Sequence, residues 1–196
     1  MTFMFGPARL IKGENQYAEF REQYKALLEK AIAVAQRYWP GFEFGGVLPG
    51  AQQFGITELL PNQIYGGGTA TYVKRYGSTG SWCNIFSYTV PQDQIHAFVG
   101  LAFTDPTLVF SHVRWELEDR KYPKVNIEEA HGWDTPFGIV FKADKEEELV
   151  VAEKMPVLIK GFQERNTSAI NQRIVPIGFM LYRRKDVAIL EKETGN

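Results

Sequence analysis

LVFSHVRWEL, residues 108–117, is the stretch whose reading decides the fold. Val109, Ser111, Val113 and Trp115 fall on one side of an extended chain, and Phe110, His112 and Arg114 fall on the other. Side chains alternate across a strand, so this spacing marks a pleated segment with two different environments on its faces. Working outward, the same pattern recurs at Thr69–Arg75, Ser81–Val90, Ile95–Phe103, Lys124–Glu129, Phe137–Lys142, Glu148–Ala152, Val157–Phe162, Ile174–Arg183 and Val187–Leu190. These pieces are rich in β-branched and aromatic residues, which fit a pleated, half-buried surface. Tyr76-Gly77-Ser78-Thr79-Gly80, Pro91-Gln92-Asp93, Thr104-Asp105-Pro106 and Asp134-Thr135-Pro136 supply turn chemistry between them. Short strands with no helix-length segment between them predict an antiparallel sandwich or barrel over residues 69–196.

Residues 1–68 read differently. From Glu14 to Tyr38 the apolar positions Tyr17, Phe20, Tyr24, Leu27, Ala31, Val34 and Tyr38 recur at alternating spacings of three and four, which lines one face of a helix. Glu19, Glu22, Lys25, Glu29 and Lys30 lie mostly off that face, and Pro40-Gly41 stop the helix. If the stripe is buried, Val34→Asp costs several kcal/mol. Pro40 to Gly68 then mixes apolar pieces with Gly41, Gly45, Gly46, Gly50, Gly55, Gly66, Gly67, Gly68 and Pro40, Pro49, Pro61. That density of breakers predicts an extended arm, and its apolar content predicts that the arm packs on a surface.

The chain has 196 residues, 44% hydrophobic and 14% aromatic, so a packed core is affordable and a wholly disordered chain is excluded. With 22 basic and 23 acidic side chains and a net charge of −1, it lacks the basic excess of a nucleic-acid binder. No apolar run is long enough to span a bilayer. Gly6 and Pro7 break the mildly apolar start, so no signal peptide is expected and the place of work is the cytoplasm or a virion. Cys83 is the only cysteine, which leaves no internal disulfide and no thiolate zinc site.

Candidate chemistry is sparse. His112 and His131 with Glu116 or Asp134 are the residues that could hold a metal in a cupin-like barrel, although the cupin spacing of histidines is missing and Arg114 shares the strand face of His112. Glu116, Glu118 and Asp119 beside Trp115, and Asp134 beside Trp133, place acids next to aromatics as a glycosidase site does, and as amphipathic strand ends also do. Gly66-Gly67-Gly68 lacks the Lys-Ser/Thr ending of a phosphate loop, and no serine sits in a nucleophile elbow. Trp82, Trp115 and Trp133 are candidate platforms for a sugar, with core packing as the alternative for each. Lys74-Arg75, Arg120-Lys121-Lys124 and Arg183-Arg184-Lys185 lie near tyrosines, but acidic runs such as Glu146-Glu147-Glu148 offset them.

Phe86-Ser87-Tyr88-Thr89-Val90-Pro91, followed by Gln94-Ile95-His96-Ala97-Phe98-Val99-Gly100, resembles the strand–turn–strand entry of β-sandwich virion and tail proteins. Glu148-Leu149-Val150-Val151, Pro156-Val157-Leu158-Ile159 and Ile174-Val175-Pro176-Ile177-Gly178-Phe179-Met180-Leu181-Tyr182 resemble the closing strands of viral jelly rolls. The resemblance covers roughly the C-terminal 110 residues and assigns no functional residue. It implies a jelly-roll-like sandwich and a structural subunit that self-assembles, as coat, spike or tail proteins do, with copies of itself or other structural subunits as partners and no cofactor. The expected chain is therefore mainly β, with an N-terminal amphipathic helix and arm. The leading function is non-enzymatic assembly. The alternatives are a carbohydrate- or other ligand-binding sandwich and a cupin-like metal-dependent enzyme.

Overall fold

A computed structural model describes residues 2–7, 18–44, 52–65, 69–77, 80–105, 108–118, 120–128, 137–142, 149–164 and 170–183. The strands are β1 (Thr2–Pro7), β2 (Phe42–Phe44), β3 (Gln52–Glu58), β4 (Val73–Tyr76), β5 (Ser81–Thr89), β6 (Gln94–Phe103), β7 (Phe110–Leu117), β8 (Arg120–Lys121), β9 (Val125–Asn126), β10 (Phe137–Lys142), β11 (Val150–Val151), β12 (Pro156–Gln163) and β13 (Ile170–Arg183), with helices α1 (Ala18–Tyr38) and α2 (Pro61–Tyr65). They form two packed sheets. The larger runs β1-β10-β6-β13-β3-β2, with β11 also on β6 and β4 also on β13; the smaller runs β5-β12-β7-β8, with β9 also on β7. Every described pairing is antiparallel except β2 with β3. The chain is mainly β and sandwich-like.

The two sheets make different demands on their strands. β7 alternates buried Val113, Trp115 and Leu117 with half-buried His112, Arg114 and Glu116, because only its inner face meets core. β6 instead reads as a continuous apolar run, and every residue from Ile95 to Phe103 is buried. α1 lies across β6, β11, β13 and β2, and the Tyr88 hydroxyl on β5 reaches His96 on β6. β6 is therefore covered by the helix on one face and by the smaller sheet on the other, which is why a two-residue alternation is absent from it.

Among the described side chains of α1, Leu27, Ala31 and Ala35 are fully buried, and Trp39 is buried just beyond its end. Tyr24, Leu28, Ile32 and Val34 flank that line, while Tyr38 is 40% exposed. Small side chains at Ala31 and Ala35 let the helix approach the sheet, and Tyr24 packs on Phe179 with ring centroids 5.0 Å apart. Val34 thus sits at the rim of the buried stripe. Val34→Asp is expected to lower stability by only about 1–2 kcal/mol, because the carboxylate can swing toward water. Ala33→Asp, on the exposed face, should leave the thermal midpoint nearly unchanged. Equal losses at both positions would contradict this placement of the helix.

Within 40–68, where the sequence reads as an extended arm, the described residues hold β2, β3 and α2. Gly55 looks like a breaker but lies mid-strand on β3, paired with Tyr182 of β13, whose ring fills the space a Cβ would need. The glycine serves close approach there, not a turn. The expected strand Val187–Leu190, and residues 45–51 and 66–68 of the expected arm, lie outside the described residues.

Candidate functional site

Register assembles the site. Phe162 on β12 pairs with Trp82 on β5 and with His112 on β7; Lys160 pairs with Asn84 and Arg114; Leu158 pairs with Ser87 and Glu116. Residues two apart share a face, so these side chains form three rows on the outer face of the five-stranded sheet, opposite the buried Val113, Trp115, Val157 and Ile159. Trp82, His112 and Glu116 thereby share one face, with Trp82 and His112 on either side of Phe162 and Glu116 two rows away. Trp115 is only 1% exposed and points into the core, so it cannot serve as a stacking platform. His131, Trp133 and Asp134 lie outside the described residues.

Charge and aromatics interlock on this face. The Arg114 guanidinium lies 5.0 Å from the centre of the Trp82 ring, and Phe162 meets that ring edge-on at 5.5 Å. Arg114 Nη2 lies 2.8 Å from Glu116 Oε1, and Lys160 Nζ lies 3.4 Å from the same oxygen. His112 packs edge-on against Phe162 at 6.4 Å, and its Nδ1 is 2.9 Å from Ser111 Oγ. Two cations thus share one carboxylate oxygen, which is a poor donor set for a metal: an added cation would have to displace both. Among the described residues no three His, Cys, Asp or Glu side chains gather as metal ligands. Glu118 is turned away at φ 56° and pairs with Arg120 at 2.9 Å.

One edge of this sheet is β5, whose pairing groups are blunted; the short β8 and β9 form the other. Ile85 is an extra residue in the β5–β12 register, a bulge, and Lys74 Nζ donates to Asn84 O at 2.7 Å. A bulge and an edge lysine both discourage another strand from adding there. Burial lowers the Lys74 ammonium from its ordinary value and raises the neighbouring Cys83 thiol, whose Sγ lies 3.5 Å from Gly161 O. That favours a neutral, unreactive thiol. Of the basic residues near tyrosines, Lys74, Arg120 and Arg183 are each engaged by a partner within the chain.

A second polar group joins the sheets. His96 is fully buried; its Nε2–H donates to Gln94 Oε1 at 3.0 Å, and its Nδ1 accepts from the Tyr88 hydroxyl at 2.8 Å. Burial pushes its pKa down from 6.5 to about 3. Between those values the unfolded chain binds a proton that the folded chain refuses. The stability His96 contributes is complete above pH 6.5 and is lost as pH falls toward 3, at up to about 1.4 kcal/mol per pH unit. Urea unfolding between neutral pH and about pH 4 should therefore show a shallower acid loss for His96→Gln than for the natural chain. Identical slopes would contradict a neutral, buried His96.

Sequence reasoning missed one cluster entirely. Trp39 Nε1–H and the Asp93 backbone N–H both donate to Glu153 Oε2, at 3.4 and 2.7 Å. Arg183 Nε lies 2.8 Å from Asp93 Oδ1, and the guanidinium covers the Trp39 ring at 5.3 Å. The end of α1, the β5–β6 turn, the β11–β12 turn and the end of β13 meet at this point. Asp93, at φ 65°, accepts a left-handed backbone because its neighbours hold it. The signal available in sequence was slight: a tryptophan immediately before the Pro40-Gly41 stop.

Compared with known proteins, the chain matches no family model, no curated protein and no solved structure. Its own geometry carries the functional reading.

Proposed function

We propose that this chain is a non-enzymatic structural protein that self-assembles, with a viral capsid, spike or tail subunit as its sharpest form, working in the cytoplasm that makes it or in the particle it builds. The observation that carries this reading is the outer face of the five-stranded sheet. It is a sheet face bearing Trp82, Arg114 and Phe162, flanked by His112, Glu116 and Lys160. Tryptophan and arginine are the residue types that dominate protein–protein contacts, and charges at the margin set register. The blunted β5 edge disfavours open-ended strand addition on that side of the sheet. Light scattering over a wide concentration range tests it. Masses well above the 22.3 kDa of one chain are expected; a mass of one chain at every concentration would overturn the reading.

A second reading, a carbohydrate-binding sandwich, is favoured by the same row, since an aromatic beside Arg114, Glu116 and His112 offers both a ring and hydrogen-bonding groups. A sugar needs a free ring face, however, and Arg114 already covers one face of Trp82. Binding on a glycan array that disappears with Trp82→Ala would promote this reading over assembly.

A further inference from the structure

Two shielded phenols have nothing to bond. Tyr76, on β4, is only 4% exposed, and its hydroxyl has no hydrogen-bond partner; the hydroxyl of Tyr65, at the end of α2, has none either. A polar group left unpaired away from water is costly, so such a pair marks a place where something binds. Both rings are held in place, Tyr76 edge-on to Phe110 at 4.9 Å and Tyr65 against Phe86 at 5.6 Å. Lys74 shares a face of β4 with Tyr76, two residues away, and its Nζ lies 5.7 Å from the centre of that ring. Burial, and then the nearby Tyr65 and Cys83 groups, push the pKa of Tyr76 up, and burial does the same at Tyr65. Both phenols therefore stay protonated. Lys74 in turn lies close enough to Cys83 to oppose the rise that burial causes there. Side chains from α2, β4 and β5 thus meet at one corner.

The chemistry of this corner is one-sided. Lys74 Nζ gives one proton to Asn84 O at 2.7 Å and keeps two. Among the described residues no carboxylate forms an ion pair with it. Glu58 acts on Tyr72 and not on Tyr65 or Tyr76. Two phenols and an ammonium remain as donors without an anion. A water molecule offers two lone pairs and brings two protons that need acceptors of their own. A carboxylate accepts from all three donors and supplies the missing counter-charge.

We propose that this corner is a binding site for a small monocarboxylate, whose oxygens accept from the Tyr65 and Tyr76 hydroxyls while Lys74 supplies the opposite charge. Lys74 and Tyr65 are half-buried and give the ligand its way in, while Tyr76 forms the buried end. The site is separate from the outer face of the five-stranded sheet and stands whether or not the chain assembles.

Acetate is the probe. Titrating the full chain with sodium acetate, with sodium chloride at equal ionic strength as the reference, should give saturable changes in the ring resonances of Tyr65 and Tyr76. Tyr76→Phe is expected to weaken acetate binding roughly tenfold, the scale of one hydrogen bond to a charged group. Lys74→Met should abolish saturable binding, and Lys25→Gln, on the exposed side of α1, should bind as the natural chain does. Without acetate, Tyr76→Phe should melt no lower than the natural chain, because the hydroxyl it removes has no partner. Should Tyr76→Phe fail to fold, Tyr65→Phe carries the same expectations. A midpoint several degrees lower without acetate would mean that a resident water already satisfies the hydroxyl, and would overturn the site. Resonance changes that sodium chloride reproduces, or that Lys74→Met leaves intact, would overturn it too. Inorganic phosphate binding more tightly than acetate would overturn the assignment to a monocarboxylate.

Discussion

Trp39→Ala is expected to remove about 3–5 kcal/mol of stability, the range seen when a buried aromatic is cut back to a methyl group. The indole is 1% exposed and closes the angle between the end of α1 and the larger sheet. Truncation leaves a cavity there, and it also strips Glu153 of the indole donor and Arg183 of the ring beneath it. A small domain holds only about 5–15 kcal/mol in total, so the loss should be visible as a collapse in the denaturant midpoint. Arg183→Gln, which keeps the indole but loses the pairing with Asp93 and the cation over the ring, should cost only about 1–2 kcal/mol, as partly exposed ion pairs and cation–π contacts do. If Trp39→Ala were as mild as Arg183→Gln, the indole would not be the anchor of the helix.

Gly178→Val should be nearly as damaging, at about 3 kcal/mol, the upper part of the range for forcing atoms into a filled core. Gly178 sits on β13 against β6, beside a break in register. A Cβ there would collide with the Ala97 carbonyl oxygen and come within 3.0 Å of Leu59 Cδ1. Backbone cannot rotate out of the way as a side chain can, so the two strands would have to part. Gly80 supplies the contrast. It adopts φ +63° with nothing within 4 Å of the position a Cβ would take, so Gly80→Ala meets only the strain of a left-handed backbone, about 1 kcal/mol. Thermal melting of both variants separates the effects. A Gly178→Val midpoint close to that of Gly80→Ala would mean that β6 and β13 are not this tightly joined.

Much of the sandwich was legible because an exposed strand face writes itself into alternate residues: β5 and β7 fall within the segments expected from their spacing, while β12 and β13 contain theirs and run beyond them. Legibility failed where burial is two-sided or where glycine packs. β3 was hidden by Gly55, which reads as a breaker yet lies under the ring of Tyr182. β1 pairs with β10 across more than a hundred residues of chain, a partnership that no local pattern announces. The phase of α1 was partly misread because aromatics outweigh alanines in any apolar count: Leu27 and Ala31 on the expected stripe are buried, but Ala35 and Trp39 are buried in place of Val34 and Tyr38. For the candidate site, alternation alone put His112 and Arg114 on one face of β7. Trp82, Phe162 and Lys160 joined them only through the register of three strands, which composition does not encode. Trp39 escaped because its role depends on Asp93, Glu153 and Arg183, each supplied by a different element.

Stacking of the two sheets is tested most directly by the contact between Tyr76 of β4 and Phe110 of β7. These rings belong to different sheets and meet edge to face with centroids 4.9 Å apart. A nuclear Overhauser measurement on the full chain, with these two rings selectively labelled, should give strong ring-to-ring cross-peaks. Their absence, while cross-strand contacts within each sheet remain, would mean that the sheets do not pack face to face.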